Sequence, residues 1–91
     1  MVVASARLTL IGKPGCHLCD EARAVVARVV GELGDATSIT VEELSILDDP
    51  ELSERYSDEI PVLLVNGAVH NIWRIDPARL RAAILAATTA L

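Results

Sequence analysis

Cys16 and Cys19 are the only two thiols in the 91-residue chain, and two residues separate them. A Pro14-Gly15 turn precedes the pair, and a segment with apolar residues at helical spacing follows it. A Cys-x-x-Cys pair beside a strand–helix unit is typical of a redox dithiol. Two other interpretations stay open at this point: half of a metal site, or two small residues of the core.

The position of the pair gives the two sulfurs different properties. Cys16 is predicted to begin a helix, where unpaired backbone N–H groups and the positive end of the helix dipole favour thiolate over thiol. We therefore expect Cys16 to titrate below the free-cysteine value of about 8.5. Cys19 lies one turn further in and is expected to be more enclosed. An accessible thiolate and a second, resolving thiol are what thiol–disulfide exchange requires.

A metal site needs more ligands than this pair supplies. Structural zinc sites use four ligands, usually from two such pairs. The only other soft ligands in the chain are His17 and His70, and His17 lies between the cysteines on another side of the helix. No bound metal or cofactor is therefore expected, and a metal or iron–sulfur carrier is kept as an alternative.

The elements that would position the cysteines follow from periodicity and turn residues. Asn66-Gly67 predicts a tight hairpin, and Asp49-Pro50 and Asp76-Pro77 each predict a capped helix start. The predicted order is β-α-β-α-β-β-α in a single domain over residues 1–91. The predicted strands are Val2–Ala4 with Arg7–Ile11, Ser38–Leu44, Ile60–Val65 and Ala68–Ile75. The predicted helices are Cys16 to Gly34, a short one from Asp49-Pro50, and a last one from Asp76-Pro77.

Composition narrows the range of partners. The net charge is −5, and no cluster of basic residues is present, which argues against nucleic acid and anionic membranes. The N-terminal segment lacks the basic region of a signal peptide, and no apolar run approaches the roughly 20 residues of a membrane span. We expect a cytoplasmic monomer, in which a purely structural disulfide would be unusual.

Three features together resemble glutaredoxin-like proteins of the thioredoxin fold: the segment KPGCHLC over residues 13–19, the Ile60-Pro61 pair, and the Asn66-Gly67 hairpin. The resemblance covers nearly the whole chain. It implies an α/β fold with a four-stranded mixed sheet flanked by three helices. It also implies a disulfide oxidoreductase that acts on a disulfide-containing protein or small thiol. Glutathione or another low-molecular-weight thiol would be the co-substrate.

The resemblance also assigns roles to single residues. Pro61 is expected to be cis beside the cysteines, with the Ile60 backbone pairing with the substrate. Lys13 would favour the Cys16 thiolate and attract a glutathione carboxylate, or would be a solvated loop residue. His17 stands where glutaredoxins carry proline; if protonated it would lower the Cys16 pKa, and otherwise it only faces solvent. Independently of the resemblance, Asp20 and Glu21 suit the first turn of a helix, and they would oppose the thiolate if they lie close to it.

The span Asn71 to Asp76 departs from the family pattern. Glutaredoxins carry a Gly-Gly pair there that holds the γ-glutamyl end of glutathione, and this chain lacks it. Asp76 is expected to cap the last helix, about two residues later than the family's acidic or hydroxyl residue. Arg74 could bind a substrate carboxylate or lie free on the surface. Trp73 is expected in the core or at its rim, with a substrate platform as the alternative, and His70 is expected to be exposed. A non-catalytic redox sensor or adaptor is therefore the second interpretation.

Overall fold

A computed structural model describes residues 5–34 and 38–88, and its seven elements follow the predicted order. The predicted strand segment Val2–Ala4 lies outside the described residues. No helix among those residues is both long and apolar enough to cross a membrane. The elements are β1 (Ala6–Gly12), α1 (His17–Leu33), β2 (Ile39–Ser45), α2 (Pro50–Tyr56), β3 (Val62–Val65), β4 (Ala68–Ile72) and α3 (Pro77–Thr88).

The four strands form one mixed sheet in the order β2-β1-β3-β4. β1 and β2 are parallel, which their helical crossover α1 requires, whereas β3 is antiparallel to both β1 and β4. The central strand β1 therefore delivers the cysteine loop from the middle of the sheet.

Two apolar clusters cover the two faces of this sheet. The larger one joins β1 and β3 to α1 and α3, through residues such as Leu8, Val26, Leu63 and Ile84. The smaller one packs α2 on the opposite face, against Ile11, Ile46 and Val62. The prediction of a mixed sheet flanked by three helices is thus confirmed. Because α1 and α3 are fixed to the same face, the start of α1 is held on a rigid base.

The helix ends use the predicted caps. The Asp49 carboxylate accepts a hydrogen bond from Glu51 N–H (2.9 Å), and the Asp76 carboxylate accepts from Ala78 N–H (3.0 Å). The N–H of Gly34 at the end of α1 donates to the carbonyl of Val30. These contacts satisfy backbone groups that a helix end otherwise leaves unpaired.

The hairpin forms as predicted, and the strand that follows it is shorter than predicted. Asn66 and Gly67 have φ angles of 51° and 85°, which the primed two-residue hairpin turn requires. The prediction that the fourth strand reaches Ile75 is wrong. The strand ends at Ile72 because Trp73 has a left-handed φ of 64°, which a strand cannot accommodate.

Candidate active site

Cys16 is the N-cap of α1, and its side chain occupies the position where a serine or aspartate oxygen would normally cap a helix. Cys19 N–H donates a hydrogen bond to Cys16 Sγ over 3.1 Å. Cys16 is partly exposed at this helix start. A backbone donor and the positive end of the helix dipole both stabilise negative charge on this sulfur.

Cys19 lies directly behind Cys16 and is enclosed by the core. Its side chain is only 1% exposed. The two cysteines are bonded as a disulfide with their Cα atoms 5.1 Å apart, which is within the usual range for such a bond. The predicted difference in accessibility between the two sulfurs is therefore present.

Gly12, the last residue of β1, has no side chain, and the Cys19 side chain occupies the space beside it. A Cβ atom built on Gly12 would lie 2.8 Å from Cys19 Sγ, closer than side-chain atoms normally approach. Gly12 was not among the predicted site residues, although a glycine at the end of a strand signals a close approach by another group.

Pro61 lies beside the same glycine across the sheet. The β1–β3 pairing places Ile11 opposite Val62, so the next residues in each direction, Gly12 and Pro61, are neighbours. The Ile60–Pro61 peptide bond is cis, as the resemblance implies. The Ile60 side chain is partly buried against the smaller apolar cluster. Its backbone role toward a substrate stays a prediction.

Asp20 and Glu21, the two acidic residues that follow the cysteines, both have cationic partners. Arg23 Nη1 lies 2.8 Å from Asp20 Oδ1, and this contact is the main reason that the pKa of Arg23 is raised. The Asp20 carboxylate is thereby compensated within its own helix turn, which weakens its repulsion of a Cys16 thiolate.

Glu21 links the cysteine helix to the connection between β4 and α3. Its two carboxylate oxygens lie 3.5 Å from His17 Nε2 and 3.5 Å from Arg74 Nη1, respectively. All three side chains are substantially exposed, so each ion pair contributes little to stability. Their consequence for the site is electrostatic, because the Arg74 guanidinium offsets the charge of Glu21 close to Cys16. Fifty-three positions separate Arg74 from Glu21, so sequence spacing alone could not pair them.

Trp73 forms part of the rim of the site. Its backbone N–H donates to the Pro61 carbonyl (2.8 Å), and its indole N–H donates to the Asp58 carbonyl (3.2 Å). Trp73 is 52% exposed, so it does not take the core position that was one of those expected for it. The residue thus connects the Pro61 turn to the connection that carries Arg74.

The remaining predicted site residues lie around this centre. Lys13 is exposed on the loop before Cys16 and lines a cleft of about 320 Å³ whose wall includes Cys19. A second cleft, of about 420 Å³, lies between α1 and the β4–α3 connection and is lined by Glu21, Trp73 and Arg74. Asp76 caps α3, and whether its carboxylate also contacts a substrate stays a prediction.

The expectation that His70 is plainly exposed is wrong. His70 is only partly exposed on β4, and its buried Nε2 has no hydrogen-bond partner among the residues that the structure describes. Burial lowers the pKa of His70, the nearby Arg79 lowers it further, and Asp76 acts in the opposite direction. Within residues 5–34 and 38–88, no group of three or more His, Cys, Asp or Glu side chains is arranged to hold a metal ion.

The sequence profile of the family described as "Glutaredoxin-like domain (DUF836)" matches residues 7–85. The chain belongs to this glutaredoxin-like family. The match includes both cysteines, the Pro61 turn and all seven elements up to the last turn of α3, and the chain has the thioredoxin fold.

Three relatives of this glutaredoxin-like chain show how far the similarity extends. An uncharacterized protein from Mycobacterium tuberculosis is 32% identical over 83 residues, which cover 90% of this chain and 86% of the relative. The X-ray structure of a protein from X. campestris has 34% identity and a TM-score of 0.68, and the match covers 88% of this chain and 97% of that protein. A thioredoxin from Methanocaldococcus jannaschii is 28% identical over 71 residues, which cover 77% of this chain and 81% of that thioredoxin.

Proposed function

We propose that this glutaredoxin-like protein is a cytoplasmic thiol–disulfide oxidoreductase that acts through Cys16 and Cys19. The observation that carries the proposal is the position of Cys16 Sγ at the α1 N-cap, where it accepts a hydrogen bond from Cys19 N–H, with the Cys19 residue enclosed behind it. A sulfur at a helix start is activated as a thiolate, and the neighbouring thiol is placed to displace whatever binds to it.

The proposed reaction has two exchange steps. The Cys16 thiolate attacks one sulfur of the substrate disulfide, so that a mixed disulfide forms and the first substrate thiolate leaves and takes a proton from water. Cys19 then loses its proton to water and attacks Cys16 Sγ. The Cys16–Cys19 bond forms, the mixed disulfide breaks, and the second substrate thiolate leaves. The substrate disulfide is reduced to two thiols while the protein dithiol is oxidised.

The charged groups near the cysteines support the first step. The Cys16 thiolate would lie beside Lys13 and His17, while the opposing carboxylates of Asp20 and Glu21 are paired with cations. A substrate would dock on the Ile60 backbone, next to Pro61, at the end of the sheet where Cys16 is partly exposed. No bound cofactor is needed, because two molecules of glutathione or another low-molecular-weight thiol, or a reductase, would return the dithiol to its reduced form.

Turnover of a small disulfide and of a protein disulfide tests the proposal. Hydroxyethyl disulfide and insulin are suitable substrates, each with glutathione and separately with dithiothreitol as the reductant. We expect activity in the wild type, none in Cys16→Ser, and a stable mixed disulfide with the substrate in Cys19→Ser. If both variants equal the wild type, or if the wild type is inert with every reductant and substrate, the oxidoreductase function is refuted.

A second function, a non-catalytic redox sensor or adaptor, is favoured by one observation. The glycine pair expected to hold glutathione is replaced by a segment in which Trp73 borders the cleft and Arg74 pairs with Glu21. A protein of this kind would cycle between dithiol and disulfide without turnover, and only one redox form would bind its partner. Absence of turnover combined with a Cys16 pKa near about 8.5 would support this function over the first.

A further inference from the structure

The outer edge of β2 is an unpaired strand edge in the part of the chain that the structure describes. β2 ends the sheet, and among residues 5–34 and 38–88 its only strand neighbour is β1. At the two ends of β2, hydrogen bonds run from Ala6 N–H to Ser38 O and from Ile46 N–H to Gly12 O, both 2.9 Å. These contacts show that the backbone groups of the even-numbered residues point toward β1.

The odd-numbered residues of β2 therefore direct their backbone N–H and C=O groups away from the sheet. Three of these residues, Ile39, Val41 and Glu43, follow one another along the exposed edge. An added strand could form hydrogen bonds to all three, in the way that extended peptides add to open sheet edges.

An apolar groove runs beside this edge on the face that α1 covers. Its volume is about 220 Å³, and the side chains of Val26, Ala27, Val30 and Val41 form its apolar walls. Val41 is 48% exposed although it faces the same side of the sheet as the buried Leu8. A residue paired with Val41 would place its side chain over this groove, so an apolar side chain is the one that fits.

The charges on β2 favour a basic partner segment over a second copy of this chain. Glu43 pairs with Arg23 on the α1 face, with Nε and Oε1 2.5 Å apart. Glu42 is exposed on the other face and forms no ion pair with any described residue. If two copies paired through β2, carboxylates of the two chains would come close together, which is unfavourable. A basic residue opposite Glu42 would instead complement its charge.

We propose that β2 docks an extended segment of a partner protein that alternates apolar residues with lysine or arginine. The segment would add to the sheet as a fifth strand, with its apolar residues over the Val26–Val41 groove and its basic residues on the Glu42 face. The carboxyl ends of β1 and β2 lie side by side, and β1 leads into Cys16. A docked partner would therefore be held close to the dithiol. The proposal does not depend on the oxidoreductase function.

A synthetic peptide tests this docking on the full-length protein. The probe is acetyl-Lys-Val-Lys-Val-Lys-Val-Lys-amide, compared with a version that has glutamate in place of lysine and a version with methylated valine nitrogens. Binding of the lysine peptide should slow hydrogen exchange of the Ile39, Val41 and Glu43 amides by about tenfold or more. The acidic and methylated peptides should leave these amides unprotected, because the first repels Glu42 and the second cannot donate to the edge.

Two protein variants locate the binding. Val41→Lys should weaken binding of the lysine peptide by about tenfold or more, since it places a positive charge beside the groove that receives the valine side chains. Val69→Lys, at a position that is 56% exposed on the opposite edge strand β4, is the matched control and should bind like the wild type. If Val41→Lys does not fold, the methylated peptide still distinguishes strand addition from charge attraction.

Three results would overturn the proposal. The first is absence of protection at Ile39, Val41 and Glu43 with the lysine peptide. The second is equal binding of the lysine and methylated peptides, which would indicate attraction between charges without strand addition. The third is a dimer of the protein alone in sedimentation that Val41→Lys dissociates, which would make a second copy of the chain the occupant of the edge.

Discussion

Replacing Gly12 by alanine should destabilise the protein more when Cys16 and Cys19 form a disulfide than when they are reduced. The new Cβ would lie 2.8 Å from Cys19 Sγ and 3.2 Å from Cys19 Cβ, whereas ordinary contacts begin at 3.4 Å. Cys19 Sγ would therefore have to move by about 0.6 Å in a site where overpacking costs about 1–3 kcal/mol. In the disulfide the sulfur is held at both ends, by its own backbone and by Cys16, so it cannot rotate away. In the dithiol it can.

The expected result is a loss of about 1–3 kcal/mol in the free energy of unfolding of the oxidised protein and a smaller loss in the reduced protein. If only the oxidised form is destabilised, by about 1–3 kcal/mol, the reduction potential of the cysteine pair rises by about 20–65 mV. Denaturant unfolding of both forms and equilibration with a dithiol buffer measure the two quantities.

Gly31→Ala is the matched control, because Gly31 is exposed on α1 and, beyond its own stretch of helix, no described atom lies within 4 Å of a Cβ built there. That variant should gain about 0.5–1 kcal/mol in both redox forms, since alanine is the better helix former. The reasoning fails if Gly12→Ala has the stability and potential of the wild type, or if both of its redox forms lose the same free energy.

Two further predictions concern His70 and Asp76. The folded-state pKa of His70 is lowered by burial, so between that pKa and the unfolded value of about 6.5 the unfolded chain binds more protons. The contribution of neutral His70 to the free energy of unfolding should therefore be fully present above about pH 6.5 and decrease as the pH falls. In His70→Gln, the free energy of unfolding should change less steeply with pH than in the wild type. The same pH dependence in both proteins, measured by chemical unfolding at pH 5 to 7, would contradict the assignment. Asp76→Ala should cost about 1 kcal/mol of stability by removing the α3 cap, with recovery in Asp76→Asn and disulfide turnover within about twofold of the wild type. A loss of turnover without a loss of stability would instead give Asp76 a substrate-binding role.

The order of the elements was predictable because each one is signalled by neighbouring residues. The apolar spacing in α1, the Asp-Pro helix starts and the Asn66-Gly67 turn depend on contacts only a few residues apart. β2 shows the limit of this reasoning. Its alternating pattern correctly indicates a strand, but its position at the sheet edge leaves Val41 half exposed, and sheet order is a property of the whole fold.

The properties of the cysteine pair were predictable from neighbouring residues. The contacts around the pair were not. The asymmetry between Cys16 and Cys19 follows from their positions one turn apart at a helix start. The pairing of Glu21 with Arg74 joins residues that are distant in the chain, and so does the hydrogen bond from Trp73 N–H to the Pro61 carbonyl. Neither contact has a local signal, so the sequence left the balance of charges around Cys16 open.

The pH dependence of alkylation at each cysteine is the most direct test of the central claim, that Cys16 is the attacking thiolate and Cys19 the resolving thiol. The reduced protein is reacted briefly with iodoacetamide from pH 4 to 10, and mass spectrometry assigns the modified residue. We predict that Cys16 reacts first, with an apparent pKa below about 8.5, and that Cys19 is protected in the folded protein. Faster modification of Cys19, or a Cys16 pKa at or above about 8.5, would contradict the account.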